Sequence, residues 1–334
     1  MATVQKSVQY VPDWLYQPLL LEPRLIPKPW GGNRLSDKLG LPSSAEPIGE
    51  AWLLSDHPIH KSRVTNVESG RYTLGELVLH WPEAILGYPA SRFPLLIKIV
   101  DACENLSIQV HPDDTTAKHL APNEGGKTEA WLILEARENA LIYLGLRRGI
   151  DRETLVRELV RGAIHLCLNT FRAKPGDCYY IPAGTIHALG AGVCVLEVQQ
   201  SSDATFRLYD WGRVDIQGKP RPLHIEAGIA ALREPNPEAG PQQALQLDSA
   251  WEQLIKCPYF SMYRLSWSGQ QALATPGILI PLSHEIAVEA RHRYFSVRPT
   301  YAGLFPAILN RVTLVSRCTA QVIWITWPMP DIAA

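Results

Sequence analysis

The chain has 334 residues, of which 46% are hydrophobic and 19% are charged, and its formal net charge is −1. This length and composition are those of a soluble globular protein with room for two hydrophobic cores. The near-zero charge argues against broad electrostatic binding to nucleic acid or to an anionic membrane. An anionic ligand would therefore need a local cluster of basic side chains.

The six cysteines are scattered along the chain, and no two of them form a C-x-x-C pair. The N-terminus lacks the basic and then apolar pattern of a signal peptide, and no apolar run reaches the roughly 18 residues of a membrane span. These features predict a cytoplasmic protein whose thiols are reduced and act as small hydrophobic groups.

Short apolar runs, punctuated by 27 prolines and 23 glycines, dominate the chain. Three of these runs are FPLLIKIVDA at 93–102, EAWLILEA at 129–136 and VCVLEVQQ at 193–200. Closely spaced short strands with such punctuation are typical of an all-β barrel or sandwich. The sequence therefore predicts a mainly β fold.

Two stretches break the β pattern. Leucines and valines at helical spacing follow Asp151, whose carboxylate can cap a helix, and they predict a helical insertion near residues 151–168. The stretch LHIEAGIAALRE at 223–234 is a second helix candidate. We therefore expect a β domain that carries helical insertions.

Gln109 and His111 are two residues apart in the stretch SIQVHPDD. Side chains at positions i and i+2 of a strand point to the same face, so both can reach one small object. Glu129 opens a later strand after a Gly-Gly pair. In the pattern G-x5-P-x-G-x-x-H, a strand ends at a proline-glycine turn, and the turn directs His187 back toward the barrel. Together these nitrogen and oxygen donors form a four-member set that suits Zn²⁺ or a similar first-row divalent ion.

Each element of this set has a commonplace alternative when it is taken alone. A Q-x-H pair on a strand is usually a matter of packing and hydrogen bonding, and P-x-G-x-x-H is a common turn. Their occurrence together and in this order favours the metal site. One carboxylate and three neutral donors leave the metal centre with a net positive formal charge, which favours an oxygen that becomes negative during a reaction.

Several segments resemble those of type I mannose-6-phosphate isomerases, in the small microbial branch of that family: SIQVHPDD, GKTEAW, IPAGTIHAL and EVQQSSDATFRLYDWGR. Nearer the N-terminus, IPKPWGGNRL and IGEAWLLS resemble the same family. The resemblance covers roughly residues 20–265. It implies a cupin fold, which is a jelly-roll β-barrel, with helical insertions and a smaller C-terminal β domain.

The resemblance also implies roles for individual polar side chains. One Zn²⁺ per chain would be bound by four ligands: Gln109, His111, Glu129 and His187. The substrate would be bound by Ser107, Lys98 and Arg213, of which Ser107 and Arg213 match positions that contact the phosphate. The catalytic groups would be the family's essential arginine, Arg207, together with Lys127 and Glu197 in the pocket lining.

The implied reaction interconverts mannose 6-phosphate and fructose 6-phosphate. A proton must move between C1 and C2 through an enediol intermediate. The reaction therefore needs a base, a stabiliser for the developing oxyanion and an anchor for the phosphate. Arg207 can fork onto two vicinal oxygens, since its guanidinium is planar and always protonated.

Strand alternation gives an independent view of three of these side chains. Lys98 lies inside an apolar strand pattern, where an unpaired charge is expensive, so it should face a polar pocket. Lys127 is two residues before Glu129 and shares its strand face. Glu197 is either the general base or a buried carboxylate that orients Lys98 or Arg207.

The residues leave other functions open. Arg207 could be a surface partner of Asp203 or Asp210 instead of a catalytic group. The chain could be a catalytically silent cupin that binds sugars, or another metal-dependent cupin enzyme. No glycine-rich nucleotide loop is present, which argues against the use of ATP or a dinucleotide. The resemblance implies a small sugar phosphate as the partner, and the near-zero charge argues against nucleic acid and a membrane. The chain is expected to be a monomer or a homodimer.

The C-terminal part departs from the family pattern. The linker candidate PNPEAGPQQ at 235–243 divides a catalytic domain, 1–235, from a smaller β domain, 236–334. After about residue 270 no family motif is found, and arginines outnumber acids. The sequence therefore predicts a degenerate tail that fails to complete the second β domain and exposes the apolar stretch VIWITWP.

Overall fold

The computed structural model describes residues 10–42, 44–67, 70–214, 218–233 and 239–329. β-Strands form most of its regular structure, as the punctuated apolar runs predicted. The strands up to residue 242 are β1 (Leu19–Leu20), β2 (Arg24–Gly32), β3 (Ile48–Leu54), β4 (Asp56–His57), β5 (His60–Lys61), β6 (Leu95–Ala102), β7 (Ile108–Val110), β8 (Glu129–Ala136), β9 (Leu141–Leu146), β10 (Leu168–Arg172), β11 (Cys178–Ile181), β12 (His187–Leu189), β13 (Val193–Gln200), β14 (Phe206–Tyr209) and β15 (Pro241–Gln242).

Two sheets form the barrel. Seven strands pair in the order β15-β11-β8-β13-β6-β3-β2, and five pair in the order β10-β9-β12-β7-β14. Buried side chains from both sheets share one core, including Ile133 and Val195 from the first and Ile142 and Leu144 from the second. Two antiparallel sheets that enclose one apolar core are the jelly-roll arrangement that the sequence predicted.

The register of these strands brings predicted site residues side by side. His187 on β12 and Arg207 on β14 both pair with Gln109 on β7. In the other sheet, Glu197 on β13 pairs with Lys98 on β6. Residues paired across neighbouring strands have Cβ atoms only about 5 Å apart, so the strand register alone assembles these two groups.

Both predicted helices form. The described helices are α1 (Arg34–Leu39), α2 (Leu74–His80), α3 (Pro82–Leu86), α4 (Asp114–Leu120), α5 (Arg152–Val160) and α6 (Ile225–Ala231). The Asp151 carboxylate accepts the backbone N–H of Thr154 at 2.8 Å, which makes Asp151 the predicted N-cap of α5. Within the described ranges, no helix is long and apolar enough to cross a lipid bilayer.

The C-terminal part forms a separate sheet. Its strands are β16 (Leu245–Gln246), β17 (Trp251–Lys256), β18 (Ser261–Ala274), β19 (Gly277–Pro281), β20 (Ile286–Ala290), β21 (Arg293–Val297), β22 (Gly303–Phe305) and β23 (Arg311–Thr326). The N-terminal strand β1 joins this sheet by pairing with β22. The sheet encloses its own core, in which Leu279, Val288 and Leu314 are fully buried.

The expectation of a degenerate tail is wrong. β18 and β23 pair along most of their lengths, and the stretch VIWITWP lies on β23 and just beyond it, with Ile323 and Ile325 fully buried. The excess of arginine misled the prediction, because all of these arginines occupy exposed positions: Arg291, Arg293, Arg298, Arg311 and Arg317. Alternate apolar residues on β23 supply the buried face that a sheet needs.

The predicted linker lies partly outside the described residues, which omit 234–238. Where the chain is described again, β15 pairs with β11 and so still belongs to the barrel sheet. The C-terminal sheet begins only with β16, which pairs with β17. The division of the chain at residue 235 stays a prediction.

The Trp327→Ala variant is expected to lose about 3–5 kcal/mol of the free energy of unfolding, as large core truncations do. Trp327 follows the last strand, is 5% exposed and packs edge to face on Phe93, with ring centroids 5.1 Å apart. Its indole N–H donates to the Leu86 carbonyl at 3.3 Å. Urea unfolding measures the loss. Tyr294→Ala, at an exposed position, is the control, and equal stability of the two variants would contradict a packed C-terminus.

Candidate metal centre and active site

The three predicted ligands that carry an imidazole or a carboxylate come together from the two sheets of the barrel. His111, Glu129 and His187 are buried, and their ligand atoms all lie within 4.8 Å of one another. His111 Nε2 is 3.4 Å from Glu129 Oε2, and His187 Nε2 is 3.3 Å from Glu129 Oε1. The two histidines thus converge on opposite oxygens of one carboxylate.

Backbone carbonyls orient both imidazoles. His111 Nδ1 donates to the Ala204 carbonyl, and His187 Nδ1 donates to the Thr185 carbonyl, each at 2.8 Å. This leaves the Nε2 lone pair of each ring facing Glu129. Burial lowers the pKa of His187 to about 3 against the opposing pull of the Glu129 carboxylate, so this imidazole is neutral at physiological pH.

Gln109 lies beside the histidines as predicted. Its Nε2 donates to His187 Nε2 at 3.3 Å, and its Oε1 accepts the hydroxyl of Ser107 at 3.2 Å. Its side-chain amide is therefore within reach of the same point as the other three donors. An amide binds a metal through its oxygen, and a rotation of the amide group by about 180° would exchange the positions of Oε1 and Nε2.

The donor set fits a divalent metal ion. Glu129 Oε1 is buried and makes no hydrogen bond within the described part of the chain. On the other oxygen, the Lys127 ammonium contacts Glu129 Oε2 and lies 3.0 Å from His111 Nε2. Burial alone would raise the pKa of Glu129, but Lys127 and His111 hold it well below its usual value. Two imidazole lone pairs and an ionised carboxylate are ligands that Zn²⁺ prefers.

A polar cavity of about 220 Å³ lies next to the donor set and includes Gln109 and Lys127 in its wall. This volume is below the roughly 300–1,000 Å³ of pockets for drug-sized ligands, so it suits a small molecule. Five cations and three carboxylates line it: Lys28, Lys98, Lys127, Arg207, Arg221, Glu50, Asp203 and Glu197. The excess of positive charge favours an anionic ligand.

Lys98 is held between two carboxylates in the cavity wall. Its Nζ lies 3.0 Å from Glu197 Oε1 and 3.8 Å from Glu50 Oε2. Indole N–H groups fix these carboxylates, because Trp131 donates to Glu197 at 2.8 Å and Trp52 donates to Glu50 at 2.7 Å. Burial would lower the pKa of Lys98, but the two carboxylates raise it, so Lys98 is charged.

Arg207 lies in the cavity wall and makes no ion pair with Asp203 or Asp210 among the described residues. Its Nη1 donates to the Pro222 carbonyl at 2.8 Å, whereas its Nε is buried without a hydrogen-bond partner in the described ranges. Burial lowers the pKa of Arg207, and the neighbouring Arg221 lowers it further. A guanidinium in the wall of a cavity is suited to an anionic oxygen.

The two predicted phosphate contacts differ in position. Ser107 lies in the cavity wall, but Arg213 does not. The guanidinium of Arg213 instead donates to the Asn105 carbonyl at 2.6 Å and to Asp210 at 2.9 Å. The predicted role of Arg213 in substrate binding stays a prediction, because this guanidinium is engaged outside the cavity.

The sequence analysis missed three charged residues of the cavity wall: Lys28, Glu50 and Arg221. Glu50 could have been found by the pattern that pointed to Lys98, because it is the single charged residue of a strand whose residues are all buried. Lys28 pairs with Glu50 at 3.1 Å across two neighbouring strands. Arg221 lies in a loop, where strand alternation gives no information about side-chain direction.

The Glu50→Gln variant is expected to lose stability less steeply in acid than the wild type. Burial would raise the pKa of Glu50, but Lys98, Lys28 and the Trp52 indole lower it to about 2. In the unfolded chain a glutamate titrates near pH 4.3. Between these values the unfolded chain binds more protons than the folded one, so stability falls as the pH drops.

For the wild type, the part of this loss that comes from Glu50 between about pH 6 and about pH 3 is on the order of 2 kcal/mol, because only the range from about pH 4.3 down to about pH 3 counts, at about 1.4 kcal/mol for each unit. Urea unfolding at about pH 6 and about pH 3 measures it. Glu46→Gln, at an exposed position just before β3, is the matched control. If the Glu50 and Glu46 variants have the same pH dependence, Glu50 is not held ionised by its neighbours.

A two-sheet barrel that holds a His, Glu and His donor set beside a cationic cavity defines a cupin with a candidate metal centre. Residues 19–129 match the family described as phosphomannose isomerase type I, catalytic domain. The mannose-6-phosphate isomerase ManA of Bacillus subtilis is 38% identical over 259 residues, which cover 77% of this chain and 82% of that protein. The chain belongs to the type I mannose-6-phosphate isomerase family, as its motifs predicted.

Other relatives agree with this assignment. The mannose-6-phosphate isomerase of Streptococcus mutans is 39% identical over 254 residues, covering 76% of this chain and 80% of that one. The crystal structure of the mannose 6-phosphate isomerase from Bacillus subtilis has a TM-score of 0.84 and 33% identity, over 92% of this chain and 99% of that chain. This coverage extends past residue 270, so the C-terminal sheet is shared as well.

A zinc-bound mannose 6-phosphate isomerase also has this fold. Its structure has a TM-score of 0.77 with 17% identity, over 93% of this chain and all of that chain. At this level of identity the likeness concerns the fold.

Proposed function

We propose that the protein is a zinc-dependent aldose–ketose isomerase that interconverts mannose 6-phosphate and fructose 6-phosphate. The observation that carries the proposal is that a buried metal-donor set lies next to a small cavity whose wall has an excess of positive charge. The first suits a Lewis acid, and the second suits a sugar phosphate. The names of the relatives, which include mannose-6-phosphate isomerases of two bacteria, support this substrate.

The metal ion would be held by Gln109, His111, Glu129 and His187. A bound Zn²⁺ would supply Lewis acidity and orientation, worth several kcal/mol of charge stabilisation. Two contacts of this chain prepare the donors for binding, because the Ala204 and Thr185 carbonyls hold the proton of each imidazole on Nδ1 and leave Nε2 unprotonated. Carbonyl partners of this kind fix the tautomer before the metal binds.

Arg207 would stabilise the charge that develops on the sugar oxygens. Arg207 lies in the cavity wall, and a planar guanidinium can donate two parallel bonds to neighbouring oxygens. Lys127 would contribute a second cation from the side of the metal donors, where it already contacts Glu129. Both groups suit a reaction in which an enediol intermediate gains negative charge.

Glu197 would carry the proton between C1 and C2, as the sequence analysis suggested for it. Its Oε2 accepts the Trp131 indole N–H, so the proton would be received at Oε1, the oxygen that contacts Lys98. The same contacts favour the alternative in which Glu197 orients Lys98. The two roles can be told apart, because Glu197 must exchange a proton with the substrate if it is the base but not if it only orients Lys98.

An experiment in D₂O tests the proposed reaction. Mannose 6-phosphate is incubated with zinc-loaded protein, and the product is followed by proton NMR. We expect fructose 6-phosphate to form with deuterium at C1, because a carboxylate base exchanges its proton with solvent. Product without deuterium would contradict transfer through an exchanging base, and the absence of fructose 6-phosphate would contradict the isomerase.

A further inference from the structure

The loop after β14 returns to the cavity with a second arginine. Val214 and Pro220 form an isolated bridge, and the chain then runs beside Arg207. The backbone N–H of His224 donates to the Arg207 carbonyl at 2.7 Å, and Arg207 Nη1 donates to the Pro222 carbonyl at 2.8 Å. These bonds hold the loop against β14 and place Arg221 in the cavity wall.

A buried carboxylate fixes the guanidinium of Arg221. Asp210 is 6% exposed and accepts Arg221 Nε at 2.7 Å and Arg221 Nη2 at 2.6 Å. This is a bidentate pair, the geometry that gives an arginine its most defined orientation. Nη1 of Arg221 makes no hydrogen bond to another described residue, so its two protons are available on the side away from Asp210.

The same carboxylate binds Arg213 from outside the cavity. Arg213 Nη1 donates to Asp210 at 2.9 Å, so Asp210 carries two guanidinium groups, of which only that of Arg221 belongs to the cavity wall. Arg213 also pairs with Glu104 at 3.3 Å outside the cavity wall. Arg207 and Arg221 both belong to the wall, which includes Ser107 as well. Asp210 is the only carboxylate that pairs with either arginine among the described residues.

We propose that Arg221 is the guanidinium that contacts the phosphate of the substrate, and that Asp210 positions it. Arg213, which the sequence motifs indicated for this task, acts only indirectly by sharing Asp210. The inference rests on the proposed function for the identity of the substrate. It goes beyond that function because it assigns the phosphate contact to Arg221, in the loop after β14, and not to Arg213.

The test compares Arg221→Gln with Arg213→Gln in zinc-loaded protein. Calorimetry measures the binding of inorganic phosphate, and steady-state assays give KM and kcat for mannose 6-phosphate. We expect Arg221→Gln to weaken phosphate binding and to raise KM by about 10-fold to 100-fold, the effect of losing charge-assisted hydrogen bonds, with kcat within about threefold. Arg213→Gln is expected to have a clearly smaller effect on both constants.

Two further variants separate the loss of a direct contact with phosphate from a change in the net charge of the protein, and a stability measurement separates it from a change in the fold. Arg157→Gln removes an equal charge from the exposed face of α5 and is expected to leave phosphate binding unchanged. Arg221→Lys keeps the charge without the fork and is expected to bind phosphate more tightly than Arg221→Gln. Thermal unfolding of each variant reports whether the fold is kept.

The outcomes distinguish the inference from the proposed function. If Arg213→Gln weakens phosphate binding more than Arg221→Gln, or if Arg221→Gln behaves like Arg157→Gln, the assignment of Arg221 is wrong even in an active isomerase. If the wild type binds phosphate through Arg221 but does not convert mannose 6-phosphate, the proposed function fails while the anion site stands. A wild type that binds no phosphate overturns the inference.

The positioning role of Asp210 has its own readout. Asp210→Asn removes the charge that orients Arg221, so it should raise KM for mannose 6-phosphate while kcat changes little. In a double-mutant cycle, adding Arg221→Gln to Asp210→Asn should raise KM much less than Arg221→Gln raises it alone. Additive effects of the two changes would mean that Asp210 acts independently of Arg221.

Discussion

Replacing Glu129 by glutamine is expected to abolish stable metal binding and to lower isomerase activity by on the order of 10³-fold, since several kcal/mol of charge stabilisation are lost at about 1.4 kcal/mol for each factor of ten. Glu129 is fully buried and supplies the only negative charge of the donor set. An amide in its place keeps the shape but leaves two neutral imidazoles and two neutral amides, which bind a divalent ion weakly.

Metal content by mass spectrometry and activity are measured on the same preparation. The matched control is Glu135→Gln, on the same strand, where an exposed carboxylate pairs with Lys38. We expect this control to retain its metal and its activity. Full metal content and activity in Glu129→Gln would show that the metal is held elsewhere.

Replacing Arg207 by glutamine is expected to lower kcat by about 10²–10³-fold, the range seen when one oxyanion-stabilising donor is removed. The metal content should not change, because the side chain of Arg207 makes no hydrogen bond to a predicted ligand among the described residues. Arg207→Lys should recover only a small part of the rate, since an ammonium cannot fork onto two oxygens.

Arg172→Gln is the control for Arg207, because Arg172 is an exposed arginine on β10 of the same sheet. The comparison also tests the alternative that Arg207 is a surface salt-bridge partner. Under that alternative, kcat of Arg207→Gln would stay within about threefold of the wild type, as for a surface substitution.

The convergence of the metal donors could be predicted because it depends on strand periodicity. Gln109 and His111 share a face through the two-residue repeat, and the turn pattern before His187 returns that side chain to the same place. The N-cap of α5 at Asp151 was equally predictable, since capping needs only local sequence. Local rules of this kind specify each element without knowledge of its neighbours.

Local rules do not reach two further features: the place of Arg221 in the cavity wall, which was missed, and the packing of the tail, which was predicted wrongly. Arg213 and Arg221 are the same residue type in the same loop region, and only the three-dimensional path of the chain places Arg221 in the cavity wall. In the tail, the missing family motifs and the excess of arginine suggested a degenerate β domain, although the arginines occupy exposed positions on regular strands or beside them. Composition averages over the two faces of a strand, whereas folding depends on their difference.

The measurement that tests the account most directly is a coupled assay of mannose 6-phosphate conversion to fructose 6-phosphate, run on zinc-loaded protein, on chelator-stripped protein and on stripped protein after Zn²⁺ is restored. The account predicts activity in the first sample, its loss in the second and its recovery in the third. Activity that survives complete removal of the metal, or no activity in folded, zinc-loaded protein, would contradict it.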